Sequence, residues 1–122
     1  MENRQAAYLL DILHSAEIIE GYISGQSREE FLQDQRTQDA VLRRLLVIGE
    51  AAARIDPETE AQFEQIPFRK MAGLRNRVVH DYGQVDFEIV WETVTIHLPR
   101  VRSELREFFS VGAANDLRGF PR

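Results

Sequence analysis

The chain of 122 residues lacks cysteine entirely, and this absence excludes disulfide bonds and any site built on thiolates. It also lacks an apolar run of ~18 residues and a basic leader followed by an apolar segment, so we predict neither a membrane partner nor a secretion signal. We expect a cytoplasmic protein stabilised by packing. The length fits one helical domain, placed at 1–110, and the aperiodic tail at 111–122 is expected to be flexible or partner-bound.

Acidic side chains are missing from one stretch of an otherwise acidic chain. The net charge is −5 and the pI is about 5.2, which argues against broad, nonspecific binding of nucleic acid. From Gln65 to His80, however, there is no acid but there are four cations, Arg69, Lys70, Arg75 and Arg77. A local patch of this kind can bind a few phosphates.

Strand patterns are absent as well, and the apolar residues recur at helical spacing. The first stripe predicts a helix over 5–23 and consists of Leu9, Ile12, Ala16, Ile19 and Ile23. A break near 24–27 precedes a capping box of Ser27 and Glu30, from which a second helix is predicted to run to about Arg54. Its stripe comprises Val41, Leu45, Ile48, Ala52 and Ile55. Small residues near Gly49 predict a close crossing with a neighbouring helix.

Two prolines and two aspartates mark the remaining elements. Asp56 and Pro57 predict a short extra helical segment over 57–65, and Pro67 is predicted to open a third main helix that stops at Gly83. Asp86 is predicted to cap the last helix, whose stripe is Phe87, Trp91, Val94, Leu98, Val101, Leu105 and Phe108. Pro99 lies within this stripe, so a bend is expected near 95–99. The predicted fold is all-α, an up-and-down four-helix bundle with an extra short helix.

The stretch Leu74 to Gly83, LRNRVVHDYG, holds the candidate site. If it is helical, Arg75 and Tyr82 share a face, while Asn76 and His80 form the adjacent stripe. Histidine exchanges protons near neutral pH and arginine stabilises a developing phosphorane charge, so the pair could support RNA cleavage without a metal or cofactor. One histidine cannot fill every role, and we therefore expect a homodimer that brings two copies together.

The spacing of Arg75, His80 and Tyr82 resembles the R-x4-H-x-Y motif of the HEPN superfamily, in particular its HepT-like toxin branch. The following run VDFEIVWETVTIHLPRVRSEL and the segment IGEAA are similar to that branch too, so the resemblance covers nearly the whole chain. It implies a dimeric HEPN-like bundle, a metal-independent endoribonuclease toxin acting on RNA, and a cognate minimal nucleotidyltransferase antitoxin. Arg75 and His80 would be catalytic, and Tyr82 would receive AMP from the antitoxin. Asn76 and Arg77 are expected to bind substrate, and no DNA is expected to bind.

Other interpretations remain open beside this one. The chain could instead be a non-catalytic helical module that binds a nucleotide or a nucleotidyltransferase. His14 and His97 are interpreted as partly exposed structural histidines, with no metal site between them. Glu17 and Glu20, together with Asp11, are interpreted as a solvated acidic face that could also meet a basic partner.

Overall fold

Helices make up most of the structure, a computed structural model that describes residues 2–79 and 83–116, with side chains as far as Val111. The helices are α1 (Asn3–Ile23), α2 (Arg28–Gln33), α3 (Gln35–Ala53), α4 (Pro57–Glu60), α5 (Phe68–Ala72), α6 (Leu74–Val78), α7 (Phe87–Glu92) and α8 (Leu98–Asp116), with a π-helical turn, Thr93–His97, joining α7 to α8. Within these ranges there is no β-strand, only an isolated bridge between Val79 and Val85. The all-α, HEPN-like bundle expected from the sequence is confirmed.

The predicted apolar stripes form the core of this bundle. α1 packs against both α3 and α8, and the buried apolar side chains of the three long helices belong to one core. Every member of the α3 stripe is buried, as are the first four members of the α1 stripe. In the last helix the buried members are Val94, Leu98, Val101 and Leu105, while the aromatic residues at the ends of the stripe are half-buried.

Gly49 permits the close helix crossing that its small neighbours predicted. A Cβ atom built at this position would lie 3.2 Å from the carbonyl oxygen of Met71 and 3.9 Å from that of Ala72. The backbone of α5 therefore passes directly over α3 at Gly49. This contact sets the position of α5 and of α6, which follows it.

The second predicted helix is interrupted, so the prediction of one helix from Ser27 to Arg54 is wrong in this respect. The capping box of Ser27 and Glu30 is present and begins α2, but α2 ends after Gln33. Asp34 then caps α3 by accepting hydrogen bonds from the Thr37 backbone N–H and hydroxyl. The carboxylate competes with the backbone for helical hydrogen bonds, and this favours a new helix start over continuation.

The third predicted helix is shorter than expected and is also divided. Pro67 precedes α5 as its N-cap, and Gly73 separates α5 from α6. The stripe of Met71, Leu74 and Val78 is buried as predicted. The predicted stop at Gly83 is wrong because α6 ends at Val78, after which Val79 takes an extended conformation (φ −100°, ψ 118°).

The distortion expected near Pro99 takes the form of the π-helical turn. The Leu98 N–H donates to the Thr93 carbonyl, five residues back, and the chain then continues as α8. Proline cannot donate the next helical hydrogen bond, so a widened turn before Pro99 accommodates it without ending the helix. α8 continues past Ser110 to Asp116; the division at 110 stays a prediction.

The acidic side of α1 faces basic residues of the same chain. Glu20 forms an ion pair with Arg102 at 2.8 Å, and Glu17 pairs with Arg106. These carboxylates therefore join α1 to α8, which is a different role from the solvated face predicted for them. In the described part of the chain no helix is long and apolar enough to cross a membrane.

Candidate active site

Arg75 lies on the exposed side of α6, at the edge of a groove between α3 and the α5–α6 segment. The groove, called the Arg75 groove below, has a volume of about 580 Å³ and is mostly apolar; it is lined by Leu42, Leu45, Leu46, Gly49, Glu50, Ala53, Ala72, Arg75, Val79, Gly83 and Val85. A cation at the rim of this groove can meet a phosphate, and the apolar surface beside it is available for packing.

Arg77 lies on the other side of α6 from Arg75. Residues two apart on a helix point about 200° apart, so the short α6 directs the two guanidinium groups to different surfaces. Arg77 lines a second cavity of about 360 Å³, called the Arg77 cavity below, with Ile48, Lys70, Met71, Leu74, Glu92, Thr93, His97, Leu98 and Val101. Asn76 is exposed between the two arginines and lines neither space.

The cations of the acid-free stretch differ in their pairing. Arg69 forms an ion pair with Glu60 at 3.4 Å and donates a hydrogen bond to the Ile55 carbonyl at 2.9 Å. Lys70, Arg75 and Arg77 are exposed and make no ion pair with any residue that the structure describes. Arg69 therefore has a structural role, whereas no described residue neutralises the other three predicted cations.

His80 and Tyr82 lie outside the described residues, so their roles stay predictions. The expectation that Arg75 and Tyr82 share a face also stays a prediction, because Tyr82 is outside the described residues; α6 itself ends at Val78. The residues on either side of the interval contact each other: Val79 and Val85 form a bridge, and the Asp86 N–H donates to the Val78 carbonyl at 2.8 Å. Both Val79 and Gly83, which immediately flank 80–82, line the Arg75 groove.

Sequence reasoning missed the grouping of Glu92 and His97 with Arg77. His97 Nε2 lies 3.9 Å from a carboxylate oxygen of Glu92, and both side chains are more than half exposed at the mouth of the Arg77 cavity. Their separation of five residues would place them about 140° apart on a regular α-helix. The π-helical turn brings them to one cavity, and the only sequence signal for it was Pro99.

Two carboxylates that cap helices have lowered pKa values. Hydrogen bonds from the Thr37 side chain and backbone hold the pKa of Asp34 below its ordinary value, and those from Thr59 do the same for the pKa of Asp56. Both carboxylates are helix caps remote in sequence from α6. Among the described residues there is no group of three or more His, Asp or Glu side chains that could hold a metal ion.

Comparison with known proteins relates this sequence to one family. The family described as "Ribonuclease HepT-like" matches residues 12–108. The "Probable ribonuclease HepT" of Thermococcus cleftensis is 35% identical over 88% of this chain and 97% of its own. "Putative RNase MJ1216" of Methanocaldococcus jannaschii is 35% identical over 83% of this chain and 84% of its own. A third relative, "Putative RNase TTE0752" of Caldanaerobacter subterraneus, is 31% identical over 82% and 89%. No solved structure matches significantly.

Proposed function

We propose that this chain, which belongs to the HepT-like ribonuclease family, is a metal-independent endoribonuclease whose catalytic pair is Arg75 and His80. One observation carries the proposal. Arg75 is exposed at the rim of a groove that Val79 and Gly83 also line, and these two residues flank the interval that holds His80 and Tyr82. This supports a common surface for the motif residues even though α6 ends at Val78.

The reaction assigns a distinct task to each side chain. A base removes the proton of a ribose 2′-hydroxyl, the 2′-oxygen attacks the adjacent phosphorus, and the 5′-oxygen leaves with a proton from an acid. The products are a 2′,3′-cyclic phosphate and a 5′-hydroxyl. His80 is the proton-transfer group, and Arg75 stabilises the charge that develops on the phosphorane oxygens.

A homodimer supplies the second set of groups that this reaction needs. The Arg75 groove is largely apolar and includes Leu46, which is 36% exposed in the single chain. An apolar surface beside a cationic one supports pairing of two copies along this groove, which would place two Arg75–His80 pairs in one cleft. RNA would then lie across the dimer.

Regulation by AMP transfer is the second part of the proposal. In this hypothesis the chain is the toxin of a toxin–antitoxin pair, and a minimal nucleotidyltransferase antitoxin modifies Tyr82. The phenolic oxygen attacks the α-phosphorus of ATP, the bond to the β-phosphate breaks, and pyrophosphate leaves while the phenol loses its proton. The added phosphate, next to Arg75, would compete with the substrate phosphate.

The decisive experiment measures RNA cleavage by the purified chain and by Arg75→Ala and His80→Ala. Each variant is expected to lose at least about a hundredfold in rate, because proton transfer and oxyanion stabilisation each contribute on that scale. Arg4→Ala, an exposed arginine in the first turn of α1, serves as the matched control and should cleave normally. Circular dichroism should be unchanged in all three.

Two further measurements complete the test. Cleavage should persist in excess chelator; loss with chelator and recovery with magnesium would contradict a metal-independent mechanism. Incubation with the cognate nucleotidyltransferase, ATP and magnesium should add AMP to the wild type but not to Tyr82→Phe, and it should silence only the wild type. If RNA is bound but never cut under any of these conditions, the chain is a binding module and not an enzyme.

A further inference from the structure

The Arg77 cavity combines an apolar floor with a charged mouth. Met71, Leu74 and Leu98 are each 6–8% exposed and present their remaining surface to the cavity. Lys70 and Arg77 are exposed at its edge and make no ion pair with described residues. A volume of about 360 Å³ is near the lower end of the range for small-ligand sites, ~300–1,000 Å³. The space therefore suits one flat, partly apolar group that carries a negative charge.

Glu92 adds a hydrogen-bond acceptor to the mouth of this cavity. Its carboxylate lies at the mouth, 3.9 Å from His97, and can only accept hydrogen bonds when it is ionised. Thr93 is buried at 9% exposure and already donates its hydroxyl proton to the Ile89 carbonyl at 2.8 Å, so it too offers an acceptor to a ligand. The lining of the cavity thus includes acceptors for N–H groups, Glu92 and Thr93, and donors for an anion, Lys70 and Arg77.

We infer that the Arg77 cavity is a specificity subsite that binds one nucleotide of the RNA, with its phosphate on Lys70 and Arg77 and its base on the apolar floor. Glu92 accepts a hydrogen bond from the exocyclic amino group of that base, so cytosine and adenine are preferred over uracil. This inference rests on the proposed function, since it assigns a second contact to the same RNA, across α6 from Arg75.

The π-helical turn supports a binding role for this cavity. It is what brings Glu92 and His97 to a common mouth, and π-helical turns inside α-helices occur frequently at functional sites. A regular helix would turn one of the two side chains away by about 140°. The turn therefore creates the polar edge that distinguishes one base from another.

The test measures equilibrium binding of fluorescently labelled 2′-O-methyl octamers of cytidine and of uridine to the full-length chain. A methylated 2′-oxygen cannot attack phosphorus, so binding is read independently of cleavage. The two pyrimidines have the same size and differ at their pairing edge. Cytosine has an amino group at position 4 and an acceptor at N3, whereas uracil has an oxo group at position 4 and an N–H at N3. Wild type is expected to bind the cytidine octamer at least about fivefold more tightly.

Three variants separate the two functions of the cavity. Lys70→Ala and Arg77→Ala should each weaken binding of both octamers about tenfold and reduce the salt slope by about one. Glu92→Gln should bring the two affinities within about twofold of each other, because an amide can accept from cytosine or donate to uracil. Arg4→Ala is again the control and should change neither property.

The outcomes are distinguishable from failure of the catalytic proposal. Equal affinity of wild type for both octamers, absence of octamer binding, or unchanged discrimination in Glu92→Gln would overturn this inference even if Arg75→Ala and His80→Ala abolish cleavage. Free cytidine monophosphate that binds as tightly as the octamer would make the cavity a small-molecule site, which also overturns its assignment to RNA. Selective binding by a chain that does not cut RNA would support the subsite and refute only catalysis.

Discussion

Substitution of Gly49 by valine tests whether the crossing of α3 and α5 positions the candidate site. A Cβ at this position meets the Met71 carbonyl oxygen at 3.2 Å, a distance at which the neighbour has to move, and the two further methyl groups of valine increase the crowding. Overpacking of this kind typically costs ~1–3 kcal/mol in the free energy of unfolding. The higher helix propensity of valine over glycine offsets only about 0.3–0.5 kcal/mol of this cost.

Gly21→Val is the matched control because Gly21 lies in α1 with open space, nothing within 4 Å, around the position that a Cβ would take. It should leave stability unchanged or slightly raised. Gly49→Val should therefore unfold at a lower denaturant concentration than Gly21→Val, and it should melt roughly 4–12 °C lower, at about 4 °C per kcal/mol for a domain of this size. Equal midpoints for the two variants would refute the claim that this close contact fixes α5. Since Gly49 also lines the Arg75 groove, RNA cleavage should fall in Gly49→Val even where the protein is fully folded.

Three other predictions follow from the same structure. Gln5→Leu should lower the free energy of unfolding by about 1–3 kcal/mol. The buried Gln5 amide donates to the Arg54 carbonyl and accepts from the Asp56 N–H, both at 3.0 Å, and leucine can do neither. Gln33→Leu, at an exposed position, is the control. The pKa values of Asp34 and Asp56 are lowered in the folded state, so their contribution to stability is present above the unfolded pKa and is lost as pH falls through the folded pKa. The melting temperature should therefore drop below about pH 4. Replacing both residues by Asn should make this drop shallower, and an equally steep drop would contradict the prediction. Sedimentation equilibrium should give about twice the chain mass of 14.1 kDa, and a stable monomer that still cleaves RNA would refute the dimer cleft.

The core was predictable because burial imposes a regular period on a helix. The stripe from Val41 to Ile55 and the buried part of the last stripe match the structure residue for residue, since each helix must place its apolar side chains on one face. The helix caps were also predictable, because each depends on a side chain and the backbone just after it. Ser27, Asp56 and Asp86 each accept a hydrogen bond from the first turn of the helix that follows. These features depend on neighbours within four residues along the chain.

The ends of α6 were not predictable from such local rules. The sequence predicts one helix from Pro67, because its apolar residues Met71, Leu74 and Val78 keep helical spacing. Nothing in that spacing indicates that the helix divides at Gly73 or ends at Val78. The stop depends on pairing of Val79 with Val85 and on the Asp86 N–H bonding the Val78 carbonyl, which are contacts between residues six to eight apart. The predicted alignment of Arg75 with Tyr82 stays a prediction, because Tyr82 lies outside the described residues, and the proposed grouping of the motif on one groove does not require a continuous helix.

The polar edge of the Arg77 cavity shows why a motif search finds only part of a site. Arg75 and Arg77 are neighbours in sequence, yet a helix necessarily sends positions two apart to opposite sides, and the structure gives each its own cavity. Glu92 and His97 carry no such signal, because five residues is the wrong interval for a shared face on a regular helix. The π-helical turn before Pro99 changes the helical period, so that Glu92 and His97, five residues apart, lie close together. In the proposed arrangement, a substrate that contacts both sides of α6 would meet Arg75 on one side and the Glu92 carboxylate on the other. The selectivity proposed for Glu92 and the chemistry proposed for Arg75 would therefore belong to separate spaces, because no described residue lines both.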